Sequence, residues 1–138
     1  MKNTIKYLLT LILIVTTLSA CGSASGNEVT VTLTDFGFEA SRYEFEAGQT
    51  YTFIITNEGA IPHEFVIAEP ITEDAHHEEG EMEHEGLVVE VEEDELPQGA
   101  TVRVEVTFPS PAPDEPLEFA CHIEGHYEAG MKAPITVK

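Results

Sequence analysis

Basic residues are scarce in this chain of 138 residues. Lysine and arginine together number 6 against 26 acidic residues, and the formal net charge at pH 7 is −20. A surface with this charge repels nucleic acid and anionic lipid head groups, and it favours cationic partners or metal ions. We therefore expect no nucleic-acid partner. Solubility in salty or alkaline surroundings is an equally good reason for the acidity, and composition alone does not choose between the two.

A membrane span that stays in place is not expected at the N-terminus. The apolar run there, Tyr7 to Val15, is too short for one. It follows Lys2 and Lys6 and precedes the small residues of "TTLSAC". A charged start, an apolar middle and a small-residue end are typical of a secretory signal.

The end of this signal is informative. The stretch "LSAC", which ends at Cys21, resembles the lipobox of bacterial lipoproteins. The resemblance implies a signal peptide over residues 1–20, a lipid on Cys21, and a flexible tether over residues 21–27. The mature chain would then carry a formal charge of −22 and sit on the extracytoplasmic face of a bacterial cell membrane. The alternative is an ordinary secreted protein with an unmodified cysteine.

Cysteine is also scarce, with 2 residues, Cys21 and Cys121. An exported protein with two cysteines would normally form a disulfide. If Cys21 carries lipid, however, Cys121 remains a free thiol outside the cytoplasm. Such a thiol needs burial or ligation, so the count favours a metal site.

Helical periodicity is absent as well. The chain instead contains short β-rich runs separated by glycine, asparagine and proline. This spacing predicts an all-β fold, a Greek-key β-sandwich formed by a single domain over residues 28–138. The predicted strands are Val29–Thr34, Tyr43–Ala47, Tyr51–Asn57, His63–Glu69, Leu87–Glu92, Thr101–Phe108, Leu117–His122 and Pro134–Lys138.

An acidic, His-rich insertion over residues 73–86 interrupts the strands. It has no apolar face and is predicted to be a solvated excursion. Its soft and borderline donors could capture copper or zinc weakly and supply the main site. The alternative is a disordered acidic loop whose histidines are incidental. The candidate secondary ligands are His76, His77, Met82 and His84.

A second set of donors lies in and near the segment "FACHIEGHYEAGM". Cys121, His126 and Met131 follow one another there at equal steps of five. Upstream, His63 stands where an exposed turn becomes an apolar strand. Taken singly, Met131 would be core filler and His63 a polar strand-edge residue. Two histidines, one cysteine and one methionine together are typical of blue-copper electron-transfer sites.

With this motif the chain resembles the cupredoxins, the family of plastocyanin, azurin and auracyanin. The Cys-x4-His-x4-Met segment is similar to that of auracyanin-like members. The resemblance implies one type 1 copper ion, with His63, Cys121 and His126 in the trigonal plane and Met131 as the weak axial ligand. In azurin and plastocyanin an asparagine follows the upstream histidine and its backbone amide braces the cysteine sulfur. Here that residue is Glu64, so the hydrogen bonds around the sulfur are expected to differ.

The resemblance also implies a function. It points to a monomeric single-electron carrier that is not an enzyme, with a cytochrome or terminal oxidase as redox partner. A copper-binding or copper-delivery protein of metal homeostasis, with the same ligands and a copper donor or acceptor as partner, is the alternative. A copper-free domain with a structural role is a third interpretation.

Other copper and cysteine chemistries are disfavoured. Multicopper oxidases carry a histidine on each side of the copper-binding cysteine, whereas Ala120 precedes Cys121 here. A binuclear copper site needs two cysteines in the loop, and Cys121 lacks the glycine-rich oxyanion turn that nucleophilic catalysis needs. Strand alternation predicts that the His122 side chain points away from Cys121, to the surface.

Overall fold

A computed structural model of the protein describes residues 26–71 and 86–138. The predicted signal peptide, Cys21 and the four candidate donors of the insertion lie outside the described residues. Within the two described ranges, no helix is long and apolar enough to cross a membrane.

The described residues form two β-sheets. The first has four strands in the order β2-β1-β4-β7, and the second has five in the order β3-β9-β8-β5-β6. The strands are β1 Glu28–Thr34, β2 Gly37–Ala40, β3 Glu44–Phe45, β4 Thr50–Asn57, β5 Phe65–Ala68, β6 Val89–Val91, β7 Thr101–Thr107, β8 Leu117–Ala120 and β9 Lys132–Val137.

Alternating side chains explain why the two sheets pack face to face. In β1 and β4 every second residue is buried, which gives each strand one apolar face. Aromatic rings from both sheets meet in the core between them. Phe53 of β4, for example, lies 6.0 Å from Phe65 of β5 and 6.1 Å from Phe119 of β8, measured between ring centroids. The predicted all-β sandwich is confirmed.

One strand was not predicted. β2, Gly37–Ala40, is short and pairs antiparallel with β1 directly after a tight turn. The sequence shows no separate apolar run for it, because its burial is intermediate except at exposed Glu39. The strand predicted to begin at His63 begins at Phe65.

The pairing of the strands brings distant residues to one end of the molecule. β1 and β4 run parallel, with Leu33 opposite Asn57 as the last pair. The loops that follow these two strands therefore leave the sheet at the same end. In the second sheet, β5 and β8 run antiparallel with Val66 opposite Ala120. The residues just before β5 and just after β8 are therefore neighbours.

We expect Phe119→Ala to lower the free energy of unfolding by about 3–5 kcal/mol, because the change removes a fully buried ring and leaves a cavity. The Phe119 ring lies between 5.3 and 6.4 Å from five other aromatic rings. Urea unfolding measures the change. Phe36→Ala is the matched control, because the Phe36 side chain is 82% exposed and its loss should change stability by no more than about 0.5 kcal/mol. Equal losses in the two variants would contradict the core assignment.

Candidate metal centre

The structure brings together the two histidines and the cysteine predicted as main ligands. One donor atom each from His63, Cys121 and His126 lies within 4.8 Å of the others. Nδ1 of His126 is 3.3 Å from Nδ1 of His63 and 3.3 Å from Sγ of Cys121. His63 and Cys121 are buried, whereas His126 is partly exposed.

These separations suit a single metal ion. Two donor atoms about 2.1 Å from one ion, at an angle of about 110–120°, lie about 3.5 Å apart. The two measured separations of 3.3 Å are close to this value. Two imidazoles and a thiolate also suit copper, which binds soft and borderline donors. The residues present therefore fit the ion that the resemblance implies.

A buried asparagine shapes the loop that carries His63. Both donor hydrogens of the Asn57 amide are used, because Nδ2 donates to the carbonyl oxygens of Ile61 and Leu96, each at 2.8 Å. Its Oδ1 accepts the Gly59 N–H at 2.8 Å. The His63 N–H in turn donates to Leu96 O at 3.2 Å. The loop is thus held from both sides before the chain enters β5.

The loop after β8 closes on itself through backbone hydrogen bonds. The Cys121 N–H donates to Met131 O at 3.1 Å, and the Met131 N–H donates to His126 O at 3.0 Å. Met131 is fully buried and lies beside Cys121 through this bond. Gly125 and Gly130 directly precede His126 and Met131 with φ values of 85° and 105°, a conformation that favours glycine.

A backbone donor braces the cysteine sulfur. The Glu64 N–H lies 3.4 Å from Cys121 Sγ, so replacing asparagine by glutamate leaves a backbone contact to the sulfur. The predicted difference in hydrogen bonding to the sulfur is therefore not found at this contact. The Glu64 side chain makes a separate bond, because its Oε2 accepts the His122 N–H at 2.9 Å. Glu64 therefore joins the His63 loop to the Cys121 loop twice.

Burial affects the protonation of two ligands. It raises the pKa of the Cys121 thiol, although the N–H groups of Glu64 and Ile123 oppose the shift. It lowers the pKa of His63, while the hydrogen bond that the ring donates to Asp35 acts in the opposite sense. At neutral pH the metal-free site thus holds a protonated thiol and a neutral His63. A metal ion that binds the thiolate must displace the thiol proton.

A buried tyrosine anchors the loop after β8, which carries Cys121 and His126. The Tyr127 hydroxyl donates to Oε1 of the buried Glu118 at 2.5 Å and accepts the Ile71 N–H at 3.2 Å. Burial, followed by the Glu118 carboxylate, raises the pKa of Tyr127 to about 12. The side chain next to His126 is therefore tied both to β8 and to the segment after β5.

The prediction for His122 is wrong about its exposure, although His122 does lie outside the donor cluster. Strand β8 ends at Ala120, so the alternation used to predict an outward side chain does not extend to position 122. The His122 ring is partly buried and meets the Tyr127 ring edge-on, with 5.6 Å between centroids. It does not belong to the His63, Cys121 and His126 cluster.

No role was assigned from the sequence to three groups near the centre: Asp35, Tyr127 and the carboxylate of Glu64. Asp35 Oδ1 lies 3.2 Å from His63 Nε2 although 28 positions separate the two residues. For Tyr127, the one indication in the sequence of a role in anchoring the loop was its position directly after His126. The other two contacts depend on strand pairing, which the residue pattern does not reveal.

Glu64 should make the stability of the metal-free protein depend on pH. Burial, and then a hydrogen bond shared with Glu90, raises the pKa of Glu64 from 4.5 to about 7. The folded chain therefore binds this proton more tightly than the unfolded chain does. The resulting stabilisation is complete below pH 4.5 and is lost as the pH rises through about 7.

We therefore expect Glu64→Gln, which keeps an acceptor for the His122 N–H, to remove this loss. Relative to the variant, the wild-type protein should lose about 2 kcal/mol of free energy of unfolding between pH 4.5 and 8. This is less than the full change in the Glu64 pKa implies, because solvent reaches part of the Glu64 and Glu90 pair. Urea unfolding across this range measures it. His63 acts in the opposite sense in both proteins, so the difference reports the titration of the Glu64 and Glu90 pair. The exposed Glu105→Gln is the control, and identical pH profiles for Glu64→Gln and wild type would refute the expectation.

Comparison with known proteins agrees with this geometry. The family model described as "Cupredoxin-like domain" matches residues 7–137. The copper-resistant cuproprotein CopI of Pseudomonas aeruginosa is 27% identical over 145 aligned positions, which cover 86% of this chain and 80% of that protein. The CopI protein of Rubrivivax gelatinosus is 31% identical over 107 positions, which cover 73% of this chain and 59% of that protein.

Solved structures share the fold. Reduced auracyanin from Roseiflexus castenholzii has a TM-score of 0.58 and 20% identity, with 81% of this chain and 97% of that chain covered. Auracyanin A from Chloroflexus aurantiacus, a "blue" copper protein, has a TM-score of 0.52 and 22% identity, with 80% and 99% covered. With the family match over nearly the whole sequence, these findings establish that the chain belongs to the cupredoxin-like domain family.

Proposed function

We propose that the chain is a type 1 copper protein that carries single electrons and is not an enzyme. The observation that carries this proposal is the compact His63, Cys121 and His126 cluster, whose sulfur is braced by the Glu64 N–H. Copper would supply the one-electron redox couple when bound. Met131, buried and hydrogen-bonded to Cys121 through the backbone, is the proposed weak fourth ligand.

The chain's own residues would hold the donors in place before the metal arrives. Asn57 fixes the His63 loop, and Tyr127 anchors the side of the loop next to His126. Rigid donors limit rearrangement when the charge of a bound ion changes, which favours fast electron transfer. His126 is the partly exposed member of the cluster, so we place the exchange of electrons with a partner at its edge.

The charge and the N-terminus support a location and a class of partner. A net charge of −20 would steer a basic redox protein, such as a cytochrome or an oxidase subunit, towards the surface. The lipobox-like "LSAC" supports attachment through Cys21 to the outer face of a bacterial cell membrane.

Adding Cu(II) to the purified protein should produce an intense visible absorption band that a reductant bleaches reversibly. The band requires a thiolate bound to Cu(II), so Cys121→Ala should abolish it and His63→Ala should abolish or strongly shift it. His122→Ala is the matched control, because His122 lies outside the cluster and its backbone bond to Glu64 does not need the ring. Visible and EPR spectroscopy measure the outcome. A full band in Cys121→Ala would exclude the proposed site.

A second candidate function is copper handling in metal homeostasis with the same ligands. It is favoured by the names of two relatives, both copper-resistant cuproproteins. The predicted donors of the insertion, His76, His77, Met82 and His84, would suit weak copper capture.

The two candidates differ in what leaves the site. If the chain carries electrons, copper-loaded protein cycled between reductant and oxidant with the Cu(I) chelator bicinchoninate present should keep its copper-to-protein ratio. Elemental analysis after gel filtration measures this ratio, and the unreduced protein with the same chelator is the control. Loss of copper to the chelator on each reduction would favour copper delivery.

A further inference from the structure

A carboxylate outside the ligand set touches one of the proposed ligands. Asp35 Oδ1 lies 3.2 Å from Nε2 of His63, whose side chain is fully buried. The same oxygen accepts the Ala60 N–H at 2.8 Å. An oxygen that already acts as an acceptor thus lies against the side of His63 that faces away from His126.

The contact determines which nitrogen of His63 carries the proton. A carboxylate oxygen accepts hydrogen bonds, and Asp35 Oδ1 already accepts one from Ala60, so Nε2 of His63 is the protonated nitrogen. The neutral ring then has its lone pair on Nδ1. Nδ1 is the atom 3.3 Å from His126 Nδ1, on the side where the donors converge. Asp35 therefore selects the tautomer that presents a metal-binding lone pair to the cluster.

A glycine preserves the space for this contact. A Cβ atom at Gly59 would lie 2.5 Å from Asp35 Oδ1 and 2.5 Å from His63 Nε2, closer than real side chains approach. The φ of Gly59 lies outside the positive range that favours glycine, so its conformation does not require glycine. What position 59 requires is the absence of a side chain. This observation is independent of the Asp35 distance and points to the same pair of atoms.

We propose that Asp35 is a positioning residue for His63, with Gly59 providing the space, and that it tunes the copper site through the imidazole. The proposal rests on the proposed copper function. A carboxylate that accepts the distal N–H of a metal-binding histidine fixes the ring and increases its donor strength. A stronger donor favours Cu(II) over Cu(I), so Asp35 lowers the reduction potential of the site.

The first test uses the metal-free full-length protein, so it does not depend on copper. Long-range ¹H–¹⁵N NMR correlations report which ring nitrogen of His63 is protonated. We expect the Nε2–H form in the wild type, a mixture of tautomers in Asp35→Ala, and recovery of the Nε2–H form in Asp35→Asn, whose amide oxygen still accepts. Gly59→Ala should also give a mixture, although Asp35 is retained.

The second test measures Cu(II) affinity and reduction potential in the same variants. Asp35→Ala should weaken Cu(II) binding by about 10–100-fold, and each tenfold preferential loss of Cu(II) over Cu(I) raises the potential by about 59 mV. Asp35→Asn should lie between Asp35→Ala and the wild type. Glu58→Ala is the control, because it removes the same charge from an exposed position on the adjoining loop and should have a much smaller effect.

The outcomes separate the two proposals. If the wild type takes up copper with a type 1 spectrum but Asp35→Ala matches it in tautomer, affinity and potential, the role of Asp35 is overturned. A potential shift as large in Glu58→Ala as in Asp35→Ala would overturn it as well, because charge alone would then be responsible. If Asp35→Ala changes the tautomer but the wild type binds no copper, the copper function fails while Asp35 still positions His63.

Discussion

The candidate metal centre depends on the buried Asn57 amide at the end of β4. Its three side-chain hydrogen bonds tie the turn before His63 to β4 and to the loop that contains Leu96. A buried amide that lost these partners would cost free energy, so the turn has one favourable arrangement. His63 and Glu64 follow this turn directly, and their contacts with Asp35 and Cys121 require that arrangement. One asparagine outside the donor set thus fixes the upstream half of the site.

The two halves of the site are joined by the residue that differs most from the expected pattern. The backbone of Glu64 keeps the contact to the sulfur, while its side chain adds a bond to the His122 N–H. An asparagine side chain is one methylene shorter and carries no charge. Glutamate at this position therefore introduces a titrating group beside Glu90 into the structure that holds Cys121. A proton that binds Glu64 can therefore affect the loops that carry the metal ligands, although it binds to none of those ligands.

The sequence was most informative where the determinants are local. Cys121, His126 and Met131 share one loop, so their spacing pointed to a common site, and the short β-rich runs between turn residues predicted the sandwich. The contact of Asp35 with His63 was not predictable, because it depends on β1 and β4 pairing in parallel. Predicting β2 would have needed its turn rather than an apolar run. The predicted surface position of His122 was wrong because the strand ends two residues earlier than expected, at Ala120.

The register of the antiparallel β5 and β8 pair also decides whether the donor set is complete. Val66 lies opposite Ala120, and the neighbouring Glu64 N–H reaches Cys121 Sγ. A slip of one residue would turn the side chains of β5 to the other face and shift Glu64 away from the sulfur. Cys121, His126 and Met131 are close in sequence and can meet an ion in a partly folded chain, but His63 joins them only when the pairing is correct. A complete donor set is therefore a property of the correctly folded molecule, and a misaligned chain retains only the local part.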